Sequence, residues 1–256
     1  MTNVDAAKLP VMLNTLRLPT IGRLWQEFGA RADREGWGSA RFLAALCEHE
    51  LADRATRRIA RHMAESGLPH GKTFATFDFA AVPTIRRAHV MALAAGDTWL
   101  EQSGNLLIFG GSGTGKTHLA VGWGLAACRA GLRVRFFTAA GLVSQLEKEQ
   151  KQYTLDRFLR QVDRAHLLIC DELGYVTMSR GGVELLFRVF ADRYERGSIL
   201  VTSNLPFSEW GQVFQGERMT AALLDRLCHH CHIFEMNGES YRFRESMKTK
   251  KGRKAE

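Results

Sequence analysis

One stretch of the chain combines glycines, a lysine and a threonine at a spacing suited to binding phosphate. It follows the P-loop pattern G-x-x-x-x-G-K-[ST]. Glycines let the backbone approach phosphate oxygens closely, and N–H groups at a helix N-terminus attract negative charge. The pattern, between an apolar strand and a helix, favours a nucleoside triphosphate site over a glycine-rich turn that binds nothing. The candidate nucleotide-binding residues are Gly110, Gly111, Ser112, Gly113, Thr114, Gly115, Lys116, Thr117 and His118.

Within this motif, two side chains carry specific chemistry. Lys116 is expected to reach the β- and γ-phosphates, and the Thr117 hydroxyl to bind Mg²⁺. A second pair of groups, Asp171 and Glu172, follows the apolar run 166–170, which is typical of a buried parallel strand. The carboxyl ends of parallel strands form the edge where ligands bind, so both acids are expected near the P-loop.

The two acids have different expected roles. Asp171 would hold Mg²⁺ through its water shell, and Glu172 would take a proton from the attacking water. The alternative is a helix N-cap followed by an acid in the first turn. The upstream P-loop favours the catalytic interpretation, because that motif predicts such an acidic partner.

Two later residues extend the candidate site. Asn204 follows a third apolar strand, 198–201, and could orient water near the γ-phosphate or cap a turn before Pro206. Arg226 lies on a predicted helix after that strand. It could complete the nucleotide site of a neighbouring subunit as an arginine finger, or be a surface arginine. The residues alone leave both alternatives open.

Composition limits the class of protein. An apolar fraction of 45% is ample for a core, and the longest apolar runs have the length of strands rather than of membrane spans. The first residues lack a signal peptide, and five cysteines without a secretion signal favour reduced thiols in the cytoplasm. The segment 228–232 matches C-x-x-C-H, but no export signal or second cysteine pair accompanies it. A helix end leading into a strand over 233–236 explains that segment without haem or zinc.

A net charge of +8 indicates an anionic partner, most simply nucleic acid. Residues 240–256 contribute seven Lys or Arg against two Glu, including Lys248, Lys250 and Lys251. A second basic cluster has i, i+3 and i+4 spacing on one helix face: Arg54, Arg57, Arg58 and Arg61. Both clusters are candidate DNA contacts, and both have the alternative of a solvated surface.

The chain reads as three consecutive regions. Apolar residues recur at helical spacing from Leu13 to Phe28 and from Phe42 to Ile59, with a break at Gly36 and Gly38. We therefore predict a helical domain over 1–70 for DNA or partner contact and assembly. Strands then alternate with helices, as in a parallel α/β sheet, over 71–244, and a basic tail covers 245–256.

The order of these motifs resembles AAA+ ATPases of the DnaC-like clade, and most closely the IstB-type helper ATPases of insertion-sequence transposition. Besides the P-loop and the acidic pair, the matching pieces are Phe77-Asp78-Phe79, Asn105, Gly174-Tyr175, Thr202-Ser203-Asn204, Asp225-Arg226-Leu227 and Ser240-Tyr241-Arg242. The resemblance covers almost the whole chain except its extreme C-terminal end.

The resemblance implies an α/β fold: a P-loop AAA+ core whose parallel sheet is flanked by helices, preceded by a small all-helical domain, without a C-terminal lid. It assigns Asn204 as sensor 1, Arg226 as the arginine finger and Arg242 as a sensor-2-like residue. It also implies a homo-oligomer, a ring or a helix joined through the nucleotide site, that binds duplex DNA without sequence preference and acts on a cognate transposase. The alternatives are a replicative helicase loader and a nucleotide-gated DNA-binding module that hydrolyses ATP negligibly.

Overall fold

A computed structural model describes residues 3–95, 98–214, 216–238, 240, 241 and 243. The chain divides into two compact units, Met1–Arg61 and His62–Glu256. The division falls inside a helix, before the glycine-containing loop at 67–71 where the sequence places a domain boundary. Among the described residues, no helix is both long enough and apolar enough to cross a membrane.

The first unit is helical, as predicted. It contains α1 (Asn3–Thr15), α2 (Pro19–Glu35) and most of α3 (Ser39–Ser66), with the expected break at Gly36, where φ is +64°. The apolar repeat from Leu13 to Phe28 is divided between two helices, α1 and α2, at a break that the sequence analysis did not predict. Arg17 takes a φ of +56°, and Pro19 begins a new helix, because proline has no N–H to lose in a first turn.

The second unit alternates strands and helices. Its strands are β1 (Asn105–Gly110), β2 (Val134–Thr138), β3 (Leu167–Leu173), β4 (Ser198–Ser203) and β5 (Cys231–Met236). Its helices are α4 (Arg87–Ala95), α5 (Thr98–Glu101), α6 (Lys116–Arg129), α7 (Ala139–Lys151), α8 (Leu155–Asp163), α9 (Arg180–Asp192), α10 (Trp210–Phe214) and α11 (Glu217–Cys228), with 3₁₀ turns at Phe79–Ala81 and Phe207–Glu209.

The five strands form one parallel sheet in the order β2-β3-β4-β1-β5, which confirms the predicted α/β core. Two apolar clusters cover the two faces of the sheet, one containing Leu107 and Leu168, the other Leu106 and Ile169. Alternate residues of each strand thus enter opposite clusters, as expected for strands buried on both faces. Within the described part of the chain, no helical lid domain follows β5.

Asn105 fixes the middle of this sheet. The side chain is buried; its Oδ1 accepts a hydrogen bond from the Ile199 N–H at 2.9 Å, and its Nδ2 donates to the Leu227 carbonyl at 3.0 Å. One buried amide therefore joins β1 to β4 and to the end of α11. Because both bonds are buried, removing either partner would leave an unsatisfied polar group.

Candidate nucleotide site

The P-loop connects β1 to α6, at the carboxyl edge of the sheet. Gly113 and Gly115 have φ angles of +78° and +104°, which disfavour any residue with a Cβ. The Lys116 ammonium donates hydrogen bonds to the carbonyl oxygens of Gly110 at 2.8 Å and Gly111 at 2.7 Å. These contacts place the cationic group on the loop that the sequence assigns to phosphate binding.

The acidic pair lies beside this loop. Asp171 is buried, and its Oδ1 accepts a hydrogen bond from the Thr117 hydroxyl at 3.1 Å. Glu172 is exposed and lines the pocket described below. The sequence indicated a strand that ends before the two acids. In the structure, β3 includes both acids and continues to Leu173, with an irregular register between Cys170 and Leu173.

A pocket of about 280 Å³ opens over the P-loop. Three sets of side chains predicted separately, the P-loop, Glu172 and Asn204, meet in its lining. The P-loop follows β1, Glu172 lies near the end of β3 and Asn204 follows β4, and these three strands are neighbours in the sheet. The rest of the lining comes from Lys72, Thr76, Phe77, Asp78, Ala81, Val82, Tyr175 and Tyr241.

The segment before the core forms one wall of the pocket, which the residue chemistry alone did not assign. The Phe77 ring packs edge-on against His118 with centroids 5.3 Å apart, and His118 Nε2 lies 2.8 Å from the Thr73 carbonyl oxygen. Asp78 accepts hydrogen bonds from the N–H groups of Ala80 and Ala81. His118 thus joins this wall to the P-loop helix. The only sequence signal for the wall was the Phe77-Asp78-Phe79 match.

A second unassigned contributor comes from the chain after β5. The backbone N–H of Tyr241 donates to the carbonyl oxygen of Gly113 at 3.0 Å, and its side chain lines the pocket. Tyr241 therefore lies directly on the P-loop. Other candidates from this region, Arg242, Lys248, Lys250 and Lys251, lie outside the described residues.

Arg226 does not reach this pocket. It lies half-buried on α11, where its Nη1 donates to the Ala222 carbonyl at 3.3 Å and its guanidinium lies 5.8 Å from the centre of the Phe187 ring. Its role as an arginine finger stays a prediction. The nearby Cys228 ends α11 and Cys231 begins β5, so the predicted helix-to-strand transition is present, but the strand begins two residues before the predicted 233–236.

The basic face of α3 is divided between two kinds of arginine. Arg54 and Arg57 pair with the buried carboxylate of Glu50, at 2.9 and 3.4 Å. Arg58 and Arg61 are exposed, and within the described part of the chain neither side chain forms an ion pair or hydrogen bond. Two of the four predicted DNA contacts therefore already form intramolecular ion pairs, although their side chains stay about half exposed.

Comparison with known proteins places these features in context. Residues 11–249 match the family described as IstB-like ATP binding protein. An insertion sequence ATP-binding protein of Sinorhizobium fredii is 51% identical over 98% of this chain and 84% of its own length. The ATP-binding protein of insertion sequence IS5376 from Geobacillus stearothermophilus is 36% identical over 90% of this chain and 91% of its own.

Solved structures show the same core. AMPPCP-bound DnaA from Aquifex aeolicus aligns with a TM-score of 0.57 at 20% identity, over 72% of this chain and 57% of the DnaA chain. At that identity the likeness concerns the fold alone. This chain thus spans just over half the length of the DnaA chain that it matches.

Proposed function

This chain belongs to the IstB-like ATP-binding protein family, and from that premise we propose that it is an ATPase that assembles on duplex DNA and directs a partner transposase. The observation that carries the proposal is the convergence of the P-loop, Glu172 and Asn204 in one pocket. A P-loop alone binds nucleotide, whereas hydrolysis also requires a base and a group that orients water.

The proposed reaction uses residues in distinct roles. P-loop N–H groups and Lys116 hold the β- and γ-phosphates, and Asn204 orients a water molecule for in-line attack. Glu172 takes a proton from that water while the water oxygen forms a bond to the γ-phosphorus. The bond from the γ-phosphorus to the bridging oxygen breaks, and ADP and phosphate leave.

Two side chains fit the expected Mg²⁺ ion. Thr117 Oγ1 and Asp171 Oδ1 lie 3.1 Å apart, and Mg²⁺ prefers oxygen ligands, many of them water. Thr117 would bind the ion directly and Asp171 through its water shell. Mg²⁺ would neutralise charge on the phosphate oxygens.

The DNA and transposase parts of the proposal rest on charge and on the names of relatives. The relatives belong to insertion sequences, and a net charge of +8 suits a phosphate backbone. Of the four arginines on α3, Arg58 and Arg61 are the better candidates for DNA contact, because neither side chain has an ion-pair or hydrogen-bond partner among the described residues. Arg226 would act on the pocket of an adjacent subunit, so assembly and hydrolysis would be linked.

Phosphate release from ATP tests the proposal. We expect turnover by the full-length protein, stimulation by two duplex DNAs of unrelated sequence, and none in Lys116→Ala, whose loop lacks its cation. ATP binding without turnover under all these conditions would instead favour the nucleotide-gated binding module. Stimulation by a replicative helicase, but not by the transposase, would favour the helicase loader.

A further inference from the structure

The backbone of β3 changes its side-chain alternation at the acidic pair. Leu168 and Cys170 enter one apolar cluster, so regular alternation would send residue 172 into the same cluster. Instead Leu173 occupies that cluster and Glu172 is exposed. One extra residue has therefore been inserted in β3 relative to β4, which is a β-bulge.

The bulge has a cost at Glu172. Its φ is +60°, in the left-handed region that non-glycine residues rarely adopt. An inserted residue also loses its regular ladder partner, which leaves a backbone N–H to be satisfied by another group. Such a conformation persists only when surrounding contacts hold it.

Thr202 supplies those contacts. This β4 residue is fully buried, and its hydroxyl oxygen accepts a hydrogen bond from the Glu172 N–H at 2.9 Å. The same hydroxyl donates to Asp171 Oδ1 at 2.5 Å. One hydroxyl thus holds the backbone of one acid and the carboxylate of the other, and the same Asp171 oxygen also accepts a hydrogen bond from the Thr117 hydroxyl.

We propose that Thr202 is a positioning residue for hydrolysis: its hydroxyl maintains the bulge that turns Glu172 towards the nucleotide pocket and orients Asp171. The inference rests on the proposed ATPase function and adds a residue to it. Thr202 itself does not line the pocket. Its replacement should therefore affect the rate of hydrolysis more than ATP binding, because the P-loop contacts remain.

Two substitutions separate the hydroxyl from the shape of the side chain. Thr202→Val keeps the volume and removes both hydrogen bonds, whereas Thr202→Ser keeps the hydroxyl. We expect Thr202→Val to lower kcat about 10- to 100-fold, the order of effect that small displacements of reacting groups produce. ATP affinity should change little, and Thr202→Ser should recover most of kcat.

Ser203 provides a matched control. Its hydroxyl is also buried on β4; it donates to the Leu173 carbonyl at 2.8 Å and accepts from the Leu205 N–H at 3.0 Å, without touching either acid. Ser203→Ala should lower the unfolding temperature while leaving kcat near the wild-type value. Equal reductions of kcat in Thr202→Val and Ser203→Ala would overturn the inference, because a general weakening of β4 would then explain both.

Amide hydrogen exchange gives a second readout that does not depend on turnover. The peptide containing Glu172 should exchange faster in Thr202→Val than in wild type or Thr202→Ser. Unchanged exchange, or an unchanged kcat in Thr202→Val, would overturn the positioning role while leaving the ATPase proposal intact. Absence of turnover in the wild-type protein would overturn the ATPase proposal, and this inference with it.

Discussion

The nucleotide pocket and the arginine face of α3 both arise from charged or polar residues at regular spacing, yet the protein uses those residues differently. In the pocket, groups from three adjacent strands converge on an open space. On α3, Glu50 forms ion pairs with two of the four arginines. The lesson is that spacing predicts which face a charge occupies but not whether the charge is available to a partner.

Glu50 explains the difference. Its buried carboxylate accepts hydrogen bonds from the backbone N–H groups of Thr20 at 2.8 Å and Ile21 at 3.2 Å, which lie in the first turn of α2. It therefore supplies the N-terminal cap that Leu18 lacks. Arg54 and Arg57 balance the charge of this buried cap, which is a structural role.

The largest expected effect concerns Arg226, which belongs neither to the pocket nor to an ion pair of the described residues. As an arginine finger it would complete a neighbour's site, so Arg226→Ala should bind ATP normally yet hydrolyse it about 10³–10⁵ times more slowly. Steady-state turnover and equilibrium binding measure the two quantities separately.

Mixing variants sharpens this prediction. Arg226→Ala retains an intact P-loop, and Lys116→Ala retains the finger, so a mixture should form some competent interfaces and recover part of the activity. Full activity of Arg226→Ala alone would make the residue an ordinary surface arginine.

A smaller effect is expected at Glu50. Burial by itself raises the pKa of this carboxyl, but hydrogen bonds from Arg54 and from the N–H groups of Ile21 and Thr20 outweigh burial and lower the pKa below its usual value. Glu50→Gln should destabilise the α2–α3 contact by about 1.5–3 kcal/mol, the range for hydrogen bonds to a charged group. Hydrogen exchange of the peptide spanning 18–24 reports this change.

The lowered pKa of the Glu50 carboxyl also predicts that the stability of the cap on α2 depends on pH. Since the folded-state pKa lies below the unfolded one, the stabilisation is fully present above the unfolded value of about 4.3 and disappears as pH falls through the folded value. Protection of this peptide should therefore decline on acidification in wild type, and less so in Glu50→Gln. Identical acid profiles would contradict the proposed cap.

The smallest effect separates the two kinds of arginine on α3. Replacing Arg58 and Arg61 with alanine should weaken duplex DNA binding and reduce the log–log salt slope by about 0.9 for each phosphate that is no longer neutralised. Replacing Arg54 and Arg57 should mainly reduce protection of α2. Equal salt slopes in wild type and in Arg58→Ala/Arg61→Ala would remove α3 from the DNA interface.

Much of the core was predictable because its signals are local. The P-loop pattern, the apolar strand before Asp171 and the strand before Asn204 each predict one element, and parallel pairing brings their ends together. Thr202, Phe77 and Tyr241 were not assigned from residue chemistry, because their roles depend on partners 30 or more positions away. The bulge at Glu172 was missed for the same reason: its register is set by β4.

The end of α1 shows a different limit of prediction from sequence, namely what hydrophobic periodicity can reveal about helix ends. Leu16 continues the apolar spacing, but the positive φ of Arg17 and the proline two residues later end one helix and begin another. Periodicity describes which positions are apolar and carries no information about a break that preserves the spacing. Proline was the available signal, because it favours the first turn of a helix.

The most direct test of the central claim is Glu172→Gln, assayed for ATP binding and for single-turnover hydrolysis in the same preparation. Glutamine keeps the size of the side chain but cannot take the proton from water. We expect binding close to that of wild type and hydrolysis about 10²–10⁴ times slower, with ATP-bound protein persisting longer on duplex DNA. Undiminished hydrolysis in Glu172→Gln would contradict the account, because the base would then lie outside this acidic pair.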